Sequence, residues 1–158
     1  MSIKIELRYS ILTSLLALLW LMLEYMVNLQ DTYIAWHPLV SILLSIIIPA
    51  VTYRLALKEK IEEKFNKLSL KQAFISGLLM TIFTSIFTIP VQLGFLKFVN
   101  PDFLESMITY TVKSAGASPE QAAMYFNRVS YIMESAIITF IIGIIISVIL
   151  AFRMRTVK

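Results

Sequence analysis

Four stretches of the chain are apolar on every helical face rather than on one: residues 10–28, 38–57, 70–99 and 131–152. About 20 such residues cross the roughly 30 Å hydrocarbon layer of a bilayer as a helix. The first, "SILTSLLALLWLMLEYMVN", follows Lys4 and Arg8, and no small-x-small cleavage signal comes after it, so it is read as an uncleaved span. The second opens with Pro38 behind Trp36 and His37 and carries Pro49 inside it. Proline suits a first helical turn and kinks an interior one, and an indole belongs at the headgroup level. In that position the lone His37 reads as an interface residue. The third span starts at Ser69, with Gln72 at capping-box distance, and has Pro90 near its far end. At about 1.5 Å per residue it is longer than the bilayer is thick. The fourth ends in Arg153, Arg155 and Lys158.

Between spans three and four, residues 101–130 change grammar. "VNPDFLESM" places Asn100 before Pro101, the order of an N-cap and a first helical residue. Leu104, Ile108, Val112 and Ala115 then share one face, and Gly116 is a candidate C-cap. "SPEQ" at 118–121 repeats the start signal, and Ala122, Phe126, Val129 and Met133 continue at helical spacing. With no breaker between Pro119 and Met154, one continuous fourth helix is expected to begin outside the membrane and run through it. The pattern predicts a helical hairpin, which serves either as a connector over the bundle's end or as a docking surface.

Composition agrees with this pattern: 158 residues, 58% hydrophobic and 15% charged, against about 25% charged in a soluble domain. Without cysteine and with a single histidine, thiolate chemistry is excluded, no cofactor is expected, and a metal site is expected to be absent. The net charge of +4 lies beside spans, without the interleaved aromatics of a base-stacking surface, so no nucleic-acid partner is expected. Eleven of the fourteen Lys and Arg fall at the two termini and around the 58–70 loop; only Lys97, Lys113 and Arg128 fall on the other side. The positive-inside rule then places both termini in the cytoplasm and residues 100–130 outside. In the loop, Leu57, Ile61, Phe65 and Leu68 share a helical face, which fits either an extension of the second helix or a segment lying on anionic lipid.

Two stripes of small residues recur every fourth position: Ala73, Gly77, Thr81 and Ser85 in span three, and Ser135, Thr139, Gly143, Ser147 and Ala151 in span four. Close backbone approach is what holds helices together in lipid, so the stripes are expected to face each other or a second copy of the protein. Intramembrane acids are functional candidates by default. Glu24 and Glu134 qualify, with Tyr25, Gln92 and Lys97 at similar depth. They form either an outer-leaflet cluster that binds a cation or relays protons, or a set of interfacial side chains reaching headgroups. No nucleophile elbow or phosphate loop is present, and an enzyme is not expected.

The stretches "LSLKQAFISGLL", "VNPDFLESM", "GASPEQAAMYF" and "IIGIIISVILAF" with its basic ending resemble the four-span bacterial membrane proteins catalogued as domain of unknown function 4199, found mainly in Bacteroidota. The matching positions are Gln72, Phe74 and Gly77; Asn100 to Phe103; and Gly143, Ser147 and Ala151, with Lys67 standing where the family has a glycine. The resemblance implies an integral membrane protein of the bacterial inner membrane and supplies no catalytic residues. The expectation is therefore an all-α, four-span protein with an extracytoplasmic hairpin. Its role is non-enzymatic, structural or accessory, in contact with the lipid bilayer and with itself or another membrane protein. The alternative is a small transporter or channel acting as an oligomer.

Overall fold

A computed structural model describes residues 3–63 and 67–157. Six helices follow in order: α1 (Lys4–Met26), α2 (His37–Glu63), α3 (Leu70–Gly94), α4 (Phe103–Ala115), α5 (Pro119–Tyr125) and α6 (Arg128–Met154). Among the described residues, four segments are long and apolar enough to cross a membrane: Lys4–Met26, His37–Glu63, Leu70–Val99 and Arg128–Met154. Leucines and isoleucines point outward along all four, among them Leu15, Ile47, Ile86 and Ile145. Such a surface is stable in lipid and not in water, and the protein is a multi-pass membrane protein in contact with lipid.

α3 and α6 form the central seam, with α1 against α3 and α2 closing the ring between α1 and α6. Small residues make the seam. Gly77 lies on Ser147 and Gly143 lies on Thr81, so close that a Cβ on either glycine would come within 2.7 and 2.6 Å of its neighbour. Thr81 and Ser147 Oγ atoms are 3.2 Å apart across it. Each also donates back to its own helix, to the carbonyls of Gly77 and Gly143, so neither hydroxyl is left bare in an apolar interior. Ser85 and Thr139, further along, donate to Thr81 and Ser135 carbonyls in the same way.

The two ends of the bundle differ. At the terminal end, where residues 4–9, 57–63, 67–70 and 151–157 meet, all four long helices pack tightly around Tyr53, Ala56, Leu57, Met80, Ile146 and Ala151. The Leu68 carbonyl there accepts from Thr156 and Val157. At the opposite end, beside α4, Leu21, Ile34, Phe95, Leu96, Phe103, Met107 and Ile132 form a second apolar core. That core contains no residue of α2. The change comes at Pro49, which removes the hydrogen bond its N–H would give to the Ser45 carbonyl. Beyond it Tyr53, Ala56 and Leu57 are sealed in the bundle; before it, none of residues 38–48 is fully buried.

Local structure departs from the sequence pattern in several places. α1 starts at Lys4, six residues before the apolar run, because Glu6 and Ser10 are buried on the bundle side. The third span is not one α-helix: Phe95–Val99 is a π-turn closed by Asn100 N donating to the Phe95 carbonyl. Asn100 does not cap α4, which begins at Phe103 with no side-chain cap; its side chain has a buried partner instead. Gly116 does end α4 in the left-handed region, at φ 65°, and the capping boxes at Ser69 and Ser118 both form. The expected continuous helix from Pro119 is broken. α5 stops at Tyr125, and Asn127 opens α6 by accepting from Ser130 N, a cap as good as serine that the apolar spacing concealed. Val129 and Met133 consequently turn outward. α2 runs on to Glu63 with Leu57 and Ile61 toward the bundle; Phe65, Lys64 and Lys158 lie outside the described residues.

Candidate functional site

The four long helices line a half-open chamber of about 470 Å³. Its walls are mostly apolar: Ala17, Leu21, Ile42, Ile48, Val91, Met107, Phe126 and Ile138. Met107 of α4 and Tyr125 and Phe126 of the α5–α6 corner cover its end. Polar groups converge on it from α1 (Trp20), α2 (His37, Ser41), α3 (Gln92) and α6 (Tyr131, Glu134, Ser135). A volume of this size, apolar with a few convergent polar groups, is the usual form of a small-molecule site.

Behind the wall sits Glu24, fully buried. Its carboxylate accepts from four donors: Trp20 Nε1 at 2.6 Å and Ser41 Oγ at 2.5 Å on Oε1, Gln30 Nε2 at 3.2 Å and His37 Nδ1 at 3.1 Å on Oε2. Asn100 Nδ2 donates to Gln30 Oε1 at 2.9 Å and extends the network to the π-turn. The His37 ring stands edge-on to Phe103, centroids 5.1 Å apart. A buried anion is tolerated only when its lone pairs are matched in this way. The network ties α1, the α1–α2 connection, α2 and the start of the hairpin to one side chain. Glu24 and His37 are thus both buried within the protein and bonded to each other.

The four candidate cluster residues are only partly brought together. Glu134 and Gln92 both line the chamber. Glu134, half-buried, accepts from Tyr125 OH at 3.0 Å. This hydrogen bond, the negative charge and burial push the Tyr125 phenol above its ordinary range, so it remains a donor throughout the physiological pH range. Gln92 is 8% exposed, and its Oε1 is sealed from solvent without a hydrogen-bond partner. Glu24 reaches the chamber through Trp20, His37 and Ser41. Lys97 is elsewhere: it is exposed, with its ammonium 5.1 Å from the Phe98 ring, and positions five apart, such as 92 and 97, lie on different faces of a regular helix. Sequence spacing held a usable signal for the donors, since Trp20 and Glu24, and likewise His37 and Ser41, are four apart on one helical face. Gln30 and Asn100 gave none.

A buried charge pair lies at the terminal end. Lys60 Nζ contacts Glu6 Oε1 and donates to Ser76 Oγ at 3.1 Å, and Ser76 donates to the same carboxylate at 2.6 Å. Lys60 and Glu6 are almost completely enclosed. By position both look like ordinary flanking charges, which is why the sequence pattern passes over them. Next to them Arg8 and Tyr9 meet Glu59 at the surface.

The family model described as "Protein of unknown function (DUF4199)" matches residues 8–156. No curated protein and no solved structure matches the chain.

Proposed function

We propose that this chain, which belongs to the DUF4199 family, is a non-enzymatic accessory protein of the bacterial inner membrane that holds a small apolar molecule drawn from the lipid phase. Both termini face the cytoplasm and the hairpin end faces outward, as the distribution of Lys and Arg supports. The observation that carries the reading is the chamber itself, apolar with a few polar groups converging on it. Its walls suit a hydrocarbon chain, and its polar groups suit one small head. A transport role would need the same chamber to open toward the terminal end as well. Tyr53, Met80 and Ile146 fill that end with closely packed side chains, which favours holding over passage.

The test uses Trp20, which lines the chamber, as the reporter. Trp36→Phe removes the only other indole, which is exposed. Full-length protein in nanodiscs of non-quenching zwitterionic lipid is titrated with 12-bromododecanol. Saturable quenching of Trp20 is expected, and Ala17→Phe or Ser45→Leu, which fill the chamber, should abolish saturation while the variants keep their folded circular-dichroism spectrum. Quenching that rises linearly and equally in all three proteins overturns the proposal.

A further inference from the structure

The chamber's charge is one-sided. Its lining brings the Glu134 carboxylate inside and the Glu24 carboxylate directly behind Trp20, His37 and Ser41, whereas no Lys or Arg is among the lining residues. Lys97, the cation placed at that depth by the sequence, is outside. Glu24 has four donors already, so its lone pairs are engaged. Glu134 has one, Tyr125 OH on Oε1, and retains acceptor capacity. On the facing helix Gln92 Oε1 is more than nine-tenths enclosed and accepts nothing. An orphaned carbonyl of this kind carries a desolvation cost of about 1–3 kcal/mol, which a donor arriving with a ligand removes.

We propose that the molecule held in the chamber is a cation-headed amphiphile: a protonated amine on a hydrocarbon chain, its N–H groups donated to Glu134 and Gln92 and its chain laid along Ala17, Ile42 and Ile138. This rests on the reading of the chamber as a lipid-phase binding site and adds the chemical class of its ligand. An anionic head would meet the Glu134 carboxylate with no Lys or Arg among the lining residues to offset it. A neutral alcohol would relieve Gln92 or Glu134, not both, and would bring no charge.

Displacement of 12-bromododecanol from the Trp36→Phe protein separates these cases. Dodecylammonium, dodecanol and dodecanoate are compared below their micellar concentrations, each corrected for partition into empty nanodiscs. Dodecylammonium should restore Trp20 fluorescence at about tenfold lower concentration than dodecanol, the return expected when a charge-assisted hydrogen bond replaces a neutral one, with dodecanoate weakest. In Glu134→Gln the advantage should shrink to less than about threefold. In Gln92→Leu all three should weaken toward a common value. Equal displacement by the three heads, a preference for dodecanoate, or an undiminished amine preference in Glu134→Gln overturns the ligand class while leaving the chamber a binding site. If 12-bromododecanol itself fails to quench saturably, the earlier reading falls instead.

Discussion

A methyl group on Gly77 would come within 2.7 Å of Ser147 Cβ, and one on Gly143 within 2.6 Å of Thr81 Cγ2. Neither neighbour can retreat easily, since both hydroxyls are bonded to helix carbonyls. Gly77→Ala and Gly143→Ala should each cost about 1–3 kcal/mol by overpacking, read as a lower thermal midpoint in detergent. Gly94→Ala is the control: its Cβ meets nothing within 4 Å, and the change should be neutral or slightly stabilising. The buried carboxylates make a second set. Glu24→Gln turns an all-acceptor group into one with its own N–H among four donors, and it should destabilise by about 1–3 kcal/mol, the cost of a buried polar group left unsatisfied. At the other end Glu6→Leu or Lys60→Met alone should cost about 3–5 kcal/mol, the cost of breaking a buried ion pair. The double variant should recover most of it, because a well-packed apolar pair replaces an ion pair at little expense. A thermal-unfolding double-mutant cycle showing simple additivity would refute this coupling.

At the scale of elements, the capping boxes at Ser69 and Ser118 and the left-handed Gly116 were legible because each is local: a few residues decide them. Asn100 shows the opposite. Its position before Pro101 has the form of a cap, yet its side chain is drawn into the Gln30–Glu24 network some 70 residues away in sequence, and the helix start slips to Phe103. Asn127 is the complementary case, a genuine cap inside an apolar period. Asn127→Ala should cost about 1 kcal/mol and loosen the α5–α6 corner. Faster hydrogen exchange is expected at Ser130 N, whose acceptor is lost, and unchanged exchange there would contradict the assignment. The π-turn at Phe95–Val99 depends on the same surroundings: it keeps Phe95 and Leu96 in the core and leaves Lys97 outside.

For the whole molecule, the proposed orientation gives a clear expectation. The chain has no cysteine, so an introduced one is the sole thiol. Ser114→Cys, exposed on α4, should react with a membrane-impermeant maleimide in intact cells, whereas Lys58→Cys, exposed at the terminal end, should react only after lysis. The reverse pattern would invert the topology and move the chamber to the cytoplasmic half. The four spans and the all-α class were determined by the sequence itself, because a run of 20 apolar residues has one stable solution in lipid, and hydrogen bonds within a helix need no partner element. Which helix faces which was hinted at by the small-residue stripes, since close approach requires small side chains wherever it occurs. The chamber, the four donors on Glu24 and the enclosure of Lys60 with Glu6 were decided only by the tertiary structure. Each depends on the relative rotation and separation of helices joined by long stretches of chain, which no local period records.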